Sequence, residues 1–355
     1  MKDRLAKLRA KLSDHQIDGF LLTAPRSLRY ITGFSGSNGC ALVGDDQAVF
    51  ITDFRYKTQA EDQVTGFERR MAKEELFKDL ASLSWFDGKR RLGFESTHIS
   101  VQQEQQLTEL LPNTELVPVR ELVEQISMVK EPGEIEKIRQ AVQISDAVFD
   151  EILELLRPGI REVDVCAELE YRMRKRGSQR LPFDAIVVSG ERSALPHGQP
   201  TEKKLQEGDL VTMDFGARIG GYVSDFTRTV VLGSADDRQR DIYETTLQAQ
   251  QQAESAAKAE MLASELDAVA RRVIAEAGYG DYFGHGLGHG LGLDVHEDPK
   301  LSPKGQMRLA PGMVVTIEPG IYIPEMGGVR IEDVVVIREE GCEVLTQASK
   351  ELVEL

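Results

Sequence analysis

Cysteine is scarce in this chain of 355 residues. Cys40, Cys166 and Cys342 are too few and too scattered for a disulfide framework or a zinc knuckle. Long apolar runs are missing as well. None approaches the roughly 20 residues needed to span a bilayer, so no membrane partner is expected. Basic charge is in deficit, with 43 Lys plus Arg against 59 Asp plus Glu and a formal net charge of −16. Such a balance argues against a nucleic-acid binder, which needs a basic surface to displace counterions from phosphates. The start, MKDRLAKLRAKLSDHQIDGF, has Leu5, Leu8 and Leu12 at helical spacing with charges between them, not an apolar secretory core. The expected compartment is a reducing cytoplasm. No repeat of about 20–50 residues is present, which excludes a solenoid.

What remains is ordinary globular composition, 41% hydrophobic and 29% charged, at a length suited to about two domains. From Ile17 to Tyr56 short apolar runs (GFLLTAP, LRYITGF, GSNGCALVGDD, AVFITDFRY) alternate with turn signals and read as strands around a glycine-rich loop. Segments 72–85 and 99–111 read as helices, with LGFE and ELVPV as strands, which suggests a small α/β domain. A strong helix signal restarts at MVKEPGEIEKIRQ, with Pro132 in the first turn and Glu131, Glu134 and Glu136 at its positive end. The domain boundary is therefore expected near 125, giving units 1–125 and 126–355. A second helix follows the Pro158–Gly159 break and ends at Gly177. Its basic run, Arg172, Arg174, Lys175 and Arg176, suits a helix C-terminus better than an anion site. A long helix is expected over 236–277, and strands fill most of the rest.

The informative residues lie between His197 and Glu332. Asp214 in VTMDFG and Asp225 in VSDFTRTVV flank Gly220 and Gly221, which predicts a hairpin with the two carboxylates facing each other across it. Glu318 in VVTIEPG and Glu332 in VRIEDVVV repeat the pattern around Gly327 and Gly328. One acid in an apolar strand is usually a satisfied structural carboxylate. Four in two similar hairpins would repel one another, and two divalent cations would balance them. Oxygen-rich ligation favours Mn²⁺, Mg²⁺ or a similar ion. His197, His285, His289 and His296 lie in the same region, three of them within FGHGLGHGLGLDVHE. The GxG spacing there lacks both a P-loop lysine and the context of a dinucleotide site. One histidine added to four acids makes a five-residue metal set, leaving the others for proton transfer and oxyanion stabilisation.

Taken together, MDFG(x₇)SDFTRT, GHGLGHGLGLDVHE, TIEPG and VRIED resemble the proline-specific metallopeptidases of the pita-bread fold, aminopeptidase P and prolidase. LRYITGFSGSNG and FITDFRY are similar to the N-terminal domain of those enzymes. The resemblance implies a small N-terminal α/β domain of the creatinase/prolidase type, followed by a catalytic pita-bread domain. It implies Asp214, Asp225, His289, Glu318 and Glu332 as ligands of two divalent ions, Mn²⁺ first, with Co²⁺ and Zn²⁺ as alternatives. His197 and His296 would be catalytic, with Glu318 as proton shuttle. His285 and Lys300 would face substrate, and Arg330 would pair with a carboxylate of the centre. The implied reaction is hydrolysis of peptides with proline at position two, by water activated between the ions.

Aminopeptidase P is expected ahead of prolidase, because Lys300 stands where compact prolidases resembling this chain carry an arginine. A non-catalytic scaffold with a structural metal centre is the reading from another class. A homodimer is implied by the family. Arg55 and Tyr56 either stabilise their own domain or reach toward a partner subunit.

Overall fold

In the computed structural model, which describes residues 2–355, the chain divides into two units between Ser127 and Met128. No helix among the described residues is long and apolar enough to cross a membrane.

The first unit is built on a mixed six-stranded sheet. Its order is Glu68–Met71, Ala48–Thr52, Gly39–Gly44, Gly19–Leu22, Arg90–Glu95, Thr114–Val119. Three of the four strands expected between Ile17 and Tyr56 form and pair antiparallel in succession, and the remaining pairings are parallel. One expected strand is a helix instead: LRYITGF lies in Pro25–Thr32 and its cap. Pro25 presets the first turn, Leu28 and Ile31 bury one face, and Gly33 closes the end at φ 84°. The decisive group is remote in sequence. The carboxylate of Glu95 accepts from the backbone N–H groups of Thr23 and Ala24 at 2.6 and 2.7 Å, just ahead of the helix. Arg55 pairs with Asp53 at 2.9 Å, and the Tyr56 hydroxyl meets that of Ser37 at 2.6 Å, so both bond within their own unit.

The second unit opens as its punctuation predicts. Pro132 is the first residue of helix Pro132–Leu153, and a capping box joins Glu131 to Glu134. This helix and Glu162–Lys175 cover a three-stranded antiparallel sheet of Ile186–Ser189, Leu210–Phe215 and Phe226–Val231. Phe149, Phe215 and Phe226 meet in that core at ring separations of 5.0–5.3 Å. The basic run is absorbed locally: Arg172 bonds Glu168 at 2.8 Å, Arg176 pairs with Glu151, and Arg174 bonds the Gln179 carbonyl.

The helix expected over 236–277 is two helices, Asp237–Ala256 and Ala263–Glu276. Backbone pairing from outside the segment breaks it. Ala259 N–H donates to Arg338 O and Glu260 N–H to Leu309 O, with Glu260 at φ 66°. Glu265 then caps the restart by accepting from Leu262 N–H at 2.9 Å. Together these helices back a five-stranded sheet ordered Glu297–Leu301, Gly288–Gly290, Val314–Ile317, Asp333–Arg338, Gly341–Val344. Each half of the unit is thus one helix pair laid on one sheet.

Candidate metal centre

Both predicted hairpins form, and both are kinked where the acids sit. Leu210–Phe215 pairs with Phe226–Val231, and beyond the kink Arg218–Ile219 pairs with Tyr222–Val223. Val314–Ile317 pairs with Asp333–Arg338, and beyond its kink Gly320–Ile323 pairs with Gly327–Arg330. Asp214 lies in its strand, but Asp225, Glu318 and Glu332 fall in the breaks between strand segments. Asp214 consequently faces Thr227 across the first hairpin, not Asp225. Asp225 and Thr227 are two residues apart, so the pleat sends both acids to one face. At the break, a Cβ on Gly216 would stand 2.2 Å from Ser224 O, so only glycine admits so close an approach.

The hairpins lock together through hydroxyls. Thr227 Oγ1 donates to Glu332 Oε2 at 2.7 Å, and Glu332 N–H donates to Thr227 O at 3.2 Å. Carboxylate oxygens of Asp214, Asp225 and Glu332 all lie within 4.8 Å of one another. His289 joins from strand Gly288–Gly290, its Nε2 at 3.3 Å from Glu318 Oε1 and 3.6 Å from Asp225 Oδ2. Its two flanking glycines are required by neighbouring backbone. A Cβ on either Gly288 or Gly290 would come within 2.1 Å of a carbonyl oxygen, Thr316 O or Asp298 O.

These residues fit divalent cations on two grounds. Asp214 Oδ1 and Glu332 Oε1 are buried without a hydrogen-bond partner, a costly arrangement unless a cation faces them. His289 Nδ1 lies 3.0 Å from Gly290 O, which can only accept, so Nδ1 carries the hydrogen. A neutral ring then turns its Nε2 lone pair toward two carboxylates, which a proton or a metal must bridge.

The electrostatics agree. Burial, then the charges of the neighbouring acids, raises the Asp225 and Glu332 carboxyls well above their ordinary range. Burial also raises Asp214, against the opposing pull of Arg330. Burial pushes Glu318 upward too, but its His289 hydrogen bond and the charges of His289, His285 and Arg330 outweigh that and hold it at about 2. Arg330 keeps its charge although burial opposes it, because Tyr322, Asp214 and Glu318 surround it.

The acids open into a cavity of about 650 Å³. His197, His285, His296, Lys300 and Arg330 line it together with all five proposed metal residues. His296 stacks edge-on against His289 at 4.4 Å, and burial, then the His289 and Lys300 charges, lower it to about 4. Lys300 lies directly across the sheet from His289 and is exposed. Phe183, Ile186 and Val295 give it apolar lining; Val295 lies in the DVHE motif, and no motif announced the other two.

Tyr322 was also missed. Its hydroxyl accepts from Arg330 Nη1 at 3.0 Å and meets His285 Nε2 at 2.9 Å. Since His285 Nδ1 faces Gly286 O at 2.7 Å, the tyrosine is the donor to His285. Its only sequence signal was a polar-tipped residue alternating with apolar ones in GIYI, four residues after Glu318.

Residues 136–339 match metallopeptidase family M24, and residues 4–129 match the creatinase/prolidase N-terminal domain. The Xaa-Pro dipeptidase of Pyrococcus furiosus is 39% identical, over 99% of this chain and 100% of that protein. Among solved structures, an Xaa-Pro dipeptidase from Bacillus anthracis matches with a TM-score of 0.98 and 43% identity, covering 100% of this chain and 99% of that one. An X-Pro aminopeptidase from Thermotoga maritima MSB8 matches with a TM-score of 0.93 and 38% identity, covering 99% and 100%. The chain belongs to metallopeptidase family M24, with a catalytic pita-bread domain behind a creatinase/prolidase N-terminal domain.

Proposed function

We propose that this M24 metallopeptidase is an Xaa-Pro dipeptidase whose divalent ions are held by Asp214, Asp225, His289, Glu318 and Glu332. Sequence alone puts aminopeptidase P first. The full-length relatives named as Xaa-Pro dipeptidases, at 39% and 43% identity, favour the dipeptidase. The observation that carries the reading is the full-length similarity to those named dipeptidases, and the cavity, which joins the carboxylate–imidazole cluster, apolar lining and the cation Lys300, is compatible with it. The apolar lining suits a pyrrolidine ring, and Lys300 suits the carboxylate that follows it in a dipeptide.

Bound there, divalent ions would supply Lewis acidity and a water of lowered pKa, with Mn²⁺ preferred and Co²⁺ or Zn²⁺ as alternatives. The chain's own residues do the rest. Glu318, which lines the cavity 3.3 Å from His289 Nε2, takes a proton from the attacking water and returns it to the leaving nitrogen. His296 and His197, both on the cavity wall, donate to the developing oxyanion. His285, oriented by Tyr322, presents its ring to substrate, and Arg330 fixes Asp214 at 2.6 Å. The reading includes a cytoplasmic homodimer, checked by sedimentation.

The deciding experiment compares an Xaa-Pro dipeptide with the matching Xaa-Pro-Yaa tripeptide in Mn²⁺. Hydrolysis of the dipeptide alone is expected. Equal or preferred cleavage of the tripeptide moves the assignment to aminopeptidase P, the second reading, which the Thermotoga match supports. Failure to cleave either with metal bound leaves a scaffold.

A further inference from the structure

The segment 190–200 carries His197 on the cavity wall, with Pro196 and Gln199 beside it. Its tip is exposed, whereas its base closes on a single buried side chain. That side chain is Glu162, the first residue of helix Glu162–Lys175 and wholly excluded from solvent. Oε1 accepts from the N–H and the hydroxyl of Ser189, both at 2.9 Å, where the chain enters the loop. Oε2 accepts from Thr201 N–H at 2.9 Å and Thr201 Oγ1 at 2.8 Å, where the chain leaves it. Arg192, within the loop, donates Nε to Oε2 at 3.2 Å and Nη2 to Gln199 O at 2.6 Å.

An acid in the first turn of a helix ordinarily serves that helix. Here the carboxylate's bonding partners all belong to the loop and its two ends. A buried carboxylate is tolerable only when donors and a cation compensate it, and these do. Two further ties fix the loop from the cavity side. Gly328 N–H donates to Ser193 Oγ at 2.8 Å, and Arg330 Nη1 donates to Pro196 O at 3.3 Å.

We propose that Glu162 is a positioning residue, holding His197 over the metal cluster by fastening both ends of its loop to one carboxylate. The inference rests on the proposed role of His197 in turnover. The Glu162 carboxylate hydrogen-bonds to Ser189, Arg192 and Thr201 and to none of the five proposed metal residues, so its effect runs through the loop and not through metal binding.

Glu162→Gln tests this in the full-length, Mn²⁺-loaded protein. The amide nitrogen cannot accept, so one loop end loses its acceptor while side-chain size is kept. Expected is a fall of about tenfold or more in kcat on an Xaa-Pro dipeptide, the scale of a small displacement of a catalytic group. KM and the calorimetric Mn²⁺ affinity stay within about twofold. In a His197→Ala background the same change lowers kcat by less than about twofold, since the group being positioned is already gone. Should the Gln variant not fold, Thr201→Val removes one of the two bonds at the exit end, the hydroxyl's, while the Thr201 N–H bond remains, and is expected to give a smaller loss of kcat that is likewise non-additive with His197→Ala. Full kcat in either folded loop variant, additive losses with His197→Ala, or a parallel loss of Mn²⁺ affinity each overturns the inference. An unimpaired His197→Ala enzyme overturns the reading of His197 itself, and this inference with it.

Discussion

Arg330 Nη2 lies 2.6 Å from Oδ2 of Asp214, while the other oxygen of that carboxylate is buried and has no hydrogen-bond partner. The guanidinium also donates Nε to Thr227 Oγ1 at 3.1 Å and Nη1 to Tyr322 at 3.0 Å. One planar fork thus orients an acid from the first hairpin, the hydroxyl that holds Glu332, and the tyrosine that orients His285.

Replacing that fork separates charge from geometry. Arg330→Met is expected to weaken Mn²⁺ binding by about 10- to 100-fold, the usual cost of losing a partner that orients a ligand. Arg330→Lys keeps the charge but cannot serve three directions at once, so it should fall between. Calorimetric titration of metal-free protein measures both. Wild-type affinity in the Met variant would refute the role given to Arg330.

Metal binding should also depend on pH. Asp225 and Glu332 hold their protons well above the ordinary carboxyl range, through burial first and neighbouring acids second. A cation must displace those protons, so the metal-free protein carries more protons than the loaded one. Affinity then rises with pH through the raised pKa values, and loading releases protons. The same groups favour the metal-free fold at low pH and lose that contribution as pH rises, so added Mn²⁺ should raise Tm more at pH 8 than at pH 6. Calorimetry in buffers of different ionisation enthalpy counts the protons. A Kd that is flat in pH would contradict the arrangement.

How much of this was readable in the sequence varies with how local the cause is. Pro132 with the Glu131 and Glu134 box marked its helix correctly, because every group involved sits within four residues. LRYITGF misread as a strand because the carboxylate that receives the backbone ahead of its helix belongs to Glu95, in another strand. The split at 257–262 escaped for the same reason, since Leu309 and Arg338 supply the competing backbone partners. The acids stood out because charge in an apolar run is costly wherever it folds. The breaks that hold Asp225, Glu318 and Glu332, and the Asp214–Thr227 register, were not legible, because they depend on backbone approaches between strands, such as that of Gly216 to Ser224 O in the first hairpin. Phe183, Ile186 and Tyr322 stayed hidden because an apolar or aromatic residue at a cavity wall is indistinguishable in sequence from one in the core.

Lys300 offers a test of substrate length. It lies across the sheet from His289, lines the cavity and is exposed. If it receives the carboxylate of an Xaa-Pro dipeptide, Lys300→Met should raise KM for that substrate by about 10- to 100-fold, the range of a charge-assisted hydrogen bond. Cleavage of the Xaa-Pro-Yaa tripeptide should change far less, so the ratio of the two kcat/KM values collapses. Lys300→Arg should preserve or sharpen the preference, because its fork matches a carboxylate. An unchanged ratio in the Met variant removes Lys300 from substrate binding.

A second buried ion pair supports the loop that carries His296. Lys130 Nζ lies 2.9 Å from Glu297 Oε2, with the two side chains only 2% and 4% exposed, and it also donates to Met128 O at 3.0 Å. Glu297 Oε1 accepts from the N–H groups of Leu293 and Asp294 at 2.9 and 3.1 Å, so the pair ties that loop to the start of the second unit. Removing one member breaks a buried ion pair, which typically costs about 3–5 kcal/mol of stability. Lys130→Met should show a loss of that size in urea unfolding of the metal-free protein. Lys130→Met combined with Glu297→Gln removes both formal charges and keeps an oxygen for the loop N–H groups. The double variant is therefore expected to be more stable than Lys130→Met alone. A double variant less stable than Lys130→Met would mean that Glu297 stabilises the loop without Lys130, and that the pair is not the unit that acts.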